Sequence, residues 1–119
     1  MAKIEKFEDL EIWKEGVELT VDIYNQFKTC KDFSLRDQIQ RAAVSIPANI
    51  SEGFERNSNK EFIQYLFIAK GSCGELRILL SIALQVKILE SKSAESLIES
   101  TRKLSAKIYK LIKTRKEKF

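Results

Sequence analysis

The feature that most constrains the fold of this chain is a helical repeat of apolar residues along almost its whole length. Apolar side chains recur three or four positions apart, as at Leu10, Trp13, Val17, Val21 and Tyr24, and this spacing puts them on one face of an α-helix. The chain has only four glycines and one proline, whereas a sandwich or barrel of many short strands needs frequent turn residues. The repeat therefore predicts an all-α protein.

Capping residues set the boundaries of the predicted helices. The segment Ser58 to Glu61 has the sequence of a capping box and begins the third helix. Ser34 is the predicted N-cap of the second helix, and Ser91 to Ser93 supply the cap of the fourth. The predicted helices cover about residues 8–28, 34–56, 59–86 and 93–116.

Short loops between long helices make consecutive helices antiparallel neighbours, so we predict a single domain over residues 1–119, an up-down-up-down antiparallel four-helix bundle. Pro47 lies inside the second helix, where it removes one backbone donor and crowds the carbonyl of Ala43, and we expect a kink there. Gly71 and Gly74 lie in the middle of the third helix and cost about 1 kcal/mol each relative to alanine, which indicates that another helix approaches closely. A phosphate-binding loop is disfavoured, because no G-x-G-x-x-G or Walker spacing is present.

The third helix carries two apolar sectors. Its conventional core face includes Phe62, Leu66 and Leu76. Contact with two neighbouring helices would explain a second sector as part of a wide buried arc, but a monomer rarely leaves so large an apolar patch exposed to water. We therefore favour a homo-oligomer interface. The second sector lies roughly opposite or lateral to the core face, continues to Val86, and places at the predicted interface Phe67, Ile68, Ile78, Leu79 and Ile82.

Polar residues of the second helix form a row from Gln38 to Arg56 at spacings of three and four. The row could be a solvated surface, a hydrogen-bonded seam between helices or subunits, or a ligand-binding ridge. Alternating arginine and glutamate with amides between them suits a self-satisfying network, so we favour a structural role. Glu75 lies within the second apolar sector of the third helix, where a carboxylate would need a partner. The predicted polar network comprises Gln38, Arg41, Ser45, Asn49, Glu52 and Glu75.

The net charge of +4 is unevenly distributed. Residues 101–119 carry eight basic and one acidic side chain, a balance of +7, whereas the rest of the chain has a balance of −3. A basic segment of this kind is usually a solvated face or a tail; phosphate binding is the functional alternative, and an oligomer would strengthen it by multivalency. Arg115 falls back on the apolar side of the helix, so bundle packing is expected to end near Ile112. The predicted nucleic-acid contacts are Lys103, Lys107, Lys110 and Lys113.

The chain contains no histidine. This excludes Ser-His and Cys-His nucleophiles, an HExxH zinc site and a di-iron site built on Glu-x-x-His pairs. The segment Ser100 to Lys103 fits S-x-x-K, but serine and lysine are frequent enough here for chance to produce such a match. We predict no catalytic residue, no metal and no cofactor, and therefore a protein that is not an enzyme.

The cysteines indicate the compartment. Cys30 and Cys73 are far apart and belong to no CxxC pair, so both are expected to be free thiols in a reducing cytoplasm, with Cys73 buried and inert. The charged stretch from Met1 to Leu10 is unlike a secretory signal. No charge-free run approaches the roughly 18 to 20 residues that a membrane-spanning helix needs. We predict a cytoplasmic protein with no membrane partner.

One motif is specific enough to identify a family. The segment from Gln38 to Gly53 reads Gln-x-x-Arg-Ala-x-x-Ser-Ile-Pro-x-Asn-Ile-x-Glu-Gly, and the segment from Ala69 to Ser72, with Glu75, fits a second motif. With these motifs the chain resembles the 23S rRNA intervening-sequence protein family, also labelled a ribosomal-protein-like four-helix bundle family. The sequence departs from the family pattern at Arg77, where an acidic residue is more common, and at Ser51, which is commonly alanine.

The resemblance implies a left-handed up-down four-helix bundle that assembles into a barrel-like homopentamer. Relatives are encoded within intervening sequences of 23S rRNA genes, and another is similar to the accessory variability protein of diversity-generating retroelements, which binds nucleic acid and a reverse transcriptase through basic surfaces. No enzymatic activity attaches to the family. We therefore predict an oligomer that binds RNA or a nucleoprotein partner of the reverse-transcriptase type. The alternative is a protein-interaction scaffold with no nucleic-acid role.

Overall fold

The structure, a computed structural model, describes residues 4–119. Residues 1–3 lie outside the described residues. They belong to the domain predicted over 1–119 and to the charged stretch from Met1 to Leu10. Within the described range the chain forms a short 3₁₀ helix and four α-helices with no β-strand, so the prediction of an all-α protein is confirmed. The helices are the 3₁₀ helix Phe7–Asp9, α1 Glu11–Gln26, α2 Phe33–Phe54, α3 Asn59–Gln85 and α4 Ser91–Lys118.

The four helices surround one cluster of buried apolar side chains. α1 packs against α2 and α4, α2 packs against α3, and α3 packs against α4. The described residues measure 45 × 23 × 19 Å, and the long dimension matches α3 and α4, since helices of this length extend about 40 Å at 1.5 Å per residue. The largest fully buried side chains include Ile23, Ile39, Ile46, Ile50, Leu66, Leu76, Leu80, Leu104 and Ile108.

The caps of three helices test the predicted boundaries. Ser58 Oγ accepts a hydrogen bond of 3.1 Å from the backbone amide of Glu61, so the predicted N-cap of α3 is confirmed. The N-cap of α2 is Asp32, whose carboxylate accepts a hydrogen bond of 3.1 Å from the backbone amide of Leu35. The prediction of Ser34 was wrong, because the carboxylate of Asp32 caps the helix and α2 therefore begins at Phe33. The prediction that Ser91 to Ser93 cap α4 was also wrong, since α4 begins at Ser91 after the backbone cap Glu90.

The packing of α4 continues beyond Ile112. Arg115 Nε donates a hydrogen bond of 2.7 Å to Asn59 Oδ1, and Asn59 Nδ2 donates one of 2.9 Å to the carbonyl of Arg115. The guanidinium also lies over the ring of Phe62, at 5.1 Å. The expectation that packing ends near Ile112 was wrong, because the amide of Asn59 at the start of α3 offers Arg115 both a donor and an acceptor.

Two glycines lie at the closest approaches between helices. A Cβ atom on Gly53 of α2 would lie 2.5 Å from Tyr65 Cβ of α3, which is too close for any side chain. A Cβ atom on Gly16 of α1 would lie 3.3 Å from Pro47 Cδ of α2. The absence of side chains at these positions therefore sets the spacing of α2 against α3 and of α1 against α2.

The contact between α1 and α2 also satisfies a backbone carbonyl that Pro47 leaves without its helical partner. Pro47 is buried inside α2 and has no N–H to donate to the carbonyl of Ala43. Thr20 Oγ1 of α1 lies 3.1 Å from that carbonyl and 2.8 Å from the carbonyl of Gly16, so its one hydroxyl hydrogen is shared between the two acceptors. A buried carbonyl without a partner is destabilising, and α1 supplies the missing donor.

Replacement of Thr20 by valine should destabilise the fold. Thr20→Val keeps the shape of the side chain but leaves the Ala43 carbonyl unpaired, at a cost of about 1–3 kcal/mol in the free energy of unfolding. Thr20→Ser, which keeps the hydroxyl, is the control and should cost less. In a Pro47→Ala background the backbone amide at position 47 returns, so the cost of Thr20→Val should shrink. Chemical denaturation measures all four variants, and an unchanged cost in that background would contradict the assigned role of Thr20.

Candidate functional site

An apolar surface runs along the outer side of α3, directly away from the core. Its members lie about 100–180° around the helix from the buried residues Leu66, Cys73 and Leu80. Their exposed fractions range from 43% for Ile82 to 61% for Ile78. We call this surface the outer band of α3, and it consists of Phe67, Ile68, Ile78, Ile82 and Val86.

Leu79, predicted with the same surface, is placed differently. It is half-buried and packs against the core. It lies seven residues after Ser72, on the same side of α3, and Ser72 contacts α2. Leu79 thus belongs to the flank of α3 that faces α2, while Glu75 is exposed among the residues of the outer band.

The glycines of α3 have no packing explanation within the described chain. Apart from the chain neighbours and the surrounding backbone of α3, a Cβ atom on Gly71 or Gly74 would meet no described atom within 4 Å. Gly71 is exposed in the middle of the outer band. Each glycine costs about 1 kcal/mol in a helix, and the packing of residues 4–119 offers no compensating close approach at either position.

The polar row of α2 divides into two separate groups. Ser45 Oγ lies 2.8 Å from Ser72 Oγ of α3, and Asn49 Nδ2 donates to Ser45 Oγ at 2.9 Å and to the Ser45 carbonyl at 2.7 Å. One turn further on, Arg56 donates to Glu52 Oε1 and to Tyr65 Oη, both at 2.7 Å. Of these bonds, Ser45–Ser72 and Arg56–Tyr65 reach α3, and the others join residues one helical turn apart.

The remaining members of the predicted network lie outside both groups. Gln38 and Arg41 are exposed on α2, and Glu75 is exposed on α3. Arg41 borders a shallow groove between α1 and α2 that is also lined by Tyr24, Val44 and Asn49. The structure thus gives Ser45, Asn49 and Glu52 hydrogen-bonded positions and leaves the other three in contact with solvent.

The lysines of α4 face an acidic side of α1. Lys107 Nζ donates to Glu11 Oε1 at 3.0 Å and to Glu15 Oε2 at 2.8 Å. The hydrogen bond and charge of Lys107 lower the pKa of Glu11, and hydrogen bonds to Glu15 and Glu11 raise the pKa of Lys107. The positive charge of Lys107 is therefore compensated within the chain.

The other three lysines differ in their surroundings. Lys103 lies at a narrow cleft that is also lined by Glu15, Glu18 and Asp22. Lys110 is exposed beside Lys107 along a groove between α1 and α4. Lys113 is exposed and lies three residues after Lys110, so the two are neighbours on the surface of α4. The four lysines thus form one row along α4, and its members differ in how close they lie to the carboxylates of α1.

A second basic surface lies between α3 and α4, and the sequence analysis did not identify it. Lys70 Nζ lies 5.7 Å from the centre of the Tyr109 ring. Arg102 lies 3.8 Å from Glu99, with both side chains more than half exposed. The pattern was visible, because Lys70 and Arg77, and likewise Arg102 and Tyr109, are seven residues apart and share a helix face. We call this surface the α3/α4 groove; it is about 300 Å³ in volume and is lined by Lys70, Arg77, Arg102, Ser105, Ala106 and Tyr109.

Cys73 lies buried behind this groove. Burial raises the pKa of its thiol to about 12, and the charges of Lys70 and Arg77 oppose the increase only in part. The thiol is therefore protonated at neutral pH and is a poor nucleophile. Within residues 4–119, no three cysteine, aspartate or glutamate side chains gather into a possible metal site. Among the described helices, none is both long enough and apolar enough to span a bilayer.

The fold, the Gln38 to Gly53 motif and the paired glycines of α3 define a class of small four-helix proteins. The profile of the 23S rRNA-intervening sequence protein family matches residues 8–110, and the chain belongs to that family. The resemblance found in the sequence is confirmed. A search of curated proteins found no match.

A solved structure supports the same assignment. A protein of unknown function from the S23 ribosomal protein family of Bacteroides thetaiotaomicron is similar to this chain, with 26% sequence identity and a TM-score of 0.81. The similarity covers 87% of this chain and 99% of that protein. The two chains therefore share the fold over nearly their full lengths.

The ion pairs of Lys107 predict a dependence of stability on pH. The pKa of Glu11 is lower in the folded than in the unfolded chain, so its stabilising effect is present above the unfolded value and is lost as the pH falls through the folded value. Glu11→Gln should therefore reduce the loss of unfolding free energy between pH 7 and pH 3. Glu8→Gln, also exposed, is the control. Identical pH profiles for Glu11→Gln and the unaltered chain, from denaturant titrations, would contradict the assignment.

Proposed function

We propose that this protein is a non-enzymatic helical bundle that self-associates and binds RNA through the basic surfaces of α3 and α4. One observation carries the proposal. Residues 101–119 have eight basic side chains and one acidic, and Lys107 is the member of this set that is held by carboxylates of α1 within the described residues. Arg115 is bonded to Asn59, and Lys103 lies beside carboxylates of α1. The remaining cations are available to phosphate groups, which bind clustered lysine and arginine side chains by charge.

The proposal includes the finer arrangement of the bundle. An up-down-up-down antiparallel order over one domain, residues 1–119, is supported by short connections and by the packing of chain neighbours. A kink at Pro47 is supported by the missing backbone bond to Ala43. A cytoplasmic location is supported by the free thiols of Cys30 and Cys73.

Self-association is proposed to occur on the outer band of α3. The band is apolar and unpartnered within the described chain, and Gly71 leaves room at its centre for close approach of another helix. A second copy is the occupant that the chain itself provides. Assembly into a pentamer rests on the resemblance to the family, and it would repeat the basic surfaces around a ring, which increases avidity.

The alternative is an interaction scaffold without a nucleic-acid role. One observation favours it, since the groove between α1 and α2 exposes the apolar side chains of Tyr24 and Val44 beside Arg41. Such a mixed apolar and polar surface suits a protein partner. A reverse-transcriptase-type nucleoprotein would be compatible with either function, because it presents both protein and RNA.

Charge on the outer band should abolish self-association. Ile78→Glu with Ile82→Glu places two carboxylates in the proposed interface and should yield a monomer by size exclusion with light scattering. Val21→Glu, at a similarly exposed apolar position on α1, should leave the assembly unchanged. Gly71→Leu adds apolar area but blocks close approach, so it should also weaken assembly. A monomeric parent protein, or an assembly that Gly71→Leu strengthens, would contradict the proposed interface.

RNA binding should depend steeply on salt. A titration with a labelled RNA at several salt concentrations should give a falling log K against log salt. Lys110→Glu with Lys113→Glu should weaken binding and reduce the magnitude of the slope by about 1.4, or about 0.7 for each lost phosphate contact. Lys28→Glu with Lys31→Glu, the same charge change at the connection between α1 and α2, should leave the slope unchanged. Absence of binding at low salt would favour the scaffold.

A further inference from the structure

We infer that the α3/α4 groove is the main site of RNA contact and that it takes a single strand, with phosphates on Lys70, Arg77 and Arg102 and a base stacked on Tyr109. This inference rests on the proposed function and makes it specific. It names both the site and the form of the RNA.

The charges on the two walls of the groove lack compensation by nearby carboxylates. Lys70 and Arg77 project from α3, and Arg102 projects from α4. Among the described residues, one carboxylate lies within 4 Å of these three cations. It is that of Glu99, whose Oε1 is 3.8 Å from Arg102 Nη1, and both side chains are mostly exposed. An ion pair of this kind is weak, and a phosphate can replace it.

The opposite flank of α4 has a different charge balance. Lys107 is held between Glu11 and Glu15, and Lys103 lies beside Glu18 and other carboxylates of α1. A phosphate there would displace established partners and would meet like charge. The balance of charge therefore favours the groove between α3 and α4 over the lysines that face α1.

Small residues keep the groove open. Ser105 and Ala106 lie between Arg102 and Tyr109 on α4. Gly74 lies four residues after Lys70 and three before Arg77, on the same face of α3, and a Cβ atom there would meet nothing within 4 Å. Room for a strand between the two helices accounts for a glycine that the packing of the chain does not explain.

An exposed aromatic ring provides a stacking surface in the groove. Tyr109 is 48% exposed, and Lys70 Nζ lies 5.7 Å from the centre of its ring. Cations beside exposed aromatic rings are the arrangement by which proteins hold single strands, because unpaired bases stack on the rings. In duplex RNA the bases are already stacked on each other and cannot reach such rings.

The test compares a single-stranded RNA oligonucleotide with a duplex of the same length. Arg77→Glu with Arg102→Glu should weaken binding of the single strand by at least about tenfold at moderate salt, through the loss of phosphate contacts. Lys103→Glu with Lys107→Glu makes the same change of charge on the other flank and should have a smaller effect. Fluorescence anisotropy measures binding, and circular dichroism verifies that each variant is folded.

The stacking component has its own pair of variants. Tyr109→Leu keeps an apolar side chain but removes the ring, and it should weaken binding of the single strand by about 5- to 150-fold, as expected for one stacked base. Binding of the duplex should be unchanged. Tyr109→Phe retains the ring and should bind the single strand as the unaltered protein does.

The outcomes separate the inference from the proposed function. If the unaltered protein binds no RNA at low salt, the proposed function fails and the inference fails with it. If RNA binds but the groove variants match their control on the other flank, the proposed function stands and the groove is not the site. If Tyr109→Leu weakens the binding of single strand and duplex equally, or weakens the binding of neither, the inference of a single-strand site is wrong.

Discussion

The contact between α1 and α2 contains one hydrogen bond that a proline makes necessary. Pro47 leaves the Ala43 carbonyl without its helical donor, and Thr20 of α1 supplies one at 3.1 Å. The bond requires the two helices to be close, and they are close because Gly16 has no side chain where it meets Pro47. The proline, the glycine and the hydroxyl therefore form one unit. Together with the buried side chains of Leu19 and Ile23, this unit holds α1 against α2.

α3 has apolar residues on several sides because its sides face three different environments. One side contributes Leu66 and Leu76 to the core, another meets α2 through Ser72, and the outer band faces away from the bundle. A helix with apolar residues on several sides has little amphipathic character of its own. Its glycines, Gly71 and Gly74, lie where the described chain provides no neighbour. The two glycines and the outer band are thus the features of α3 that packing within the bundle does not explain.

The distribution of charge between helices decides which cations can act. Residues 101–119 are strongly basic as a segment, yet Lys107 is paired with carboxylates of α1 while Arg102 has only a weak partner. Arg102 and Arg77, which are 25 positions apart, line the same groove. The fold thus gives α4 one flank whose positive charge is paired with carboxylates of α1 and another flank, towards α3, whose positive charge is mostly unpaired.

The sequence alone determined the four helices, the cap at Ser58 and the family, because apolar period, capping and the motif ending at Gly53 are local properties of neighbouring residues. It placed the N-cap of α2 two residues too late and ended the packing of α4 before Arg115, since both depend on which side chain reaches a particular amide. Only the tertiary structure decided that Lys107 is paired and that Lys70 and Tyr109 share a groove. These relationships join residues on different helices, 96 positions apart for Lys107 and Glu11, and no local pattern encodes such distances.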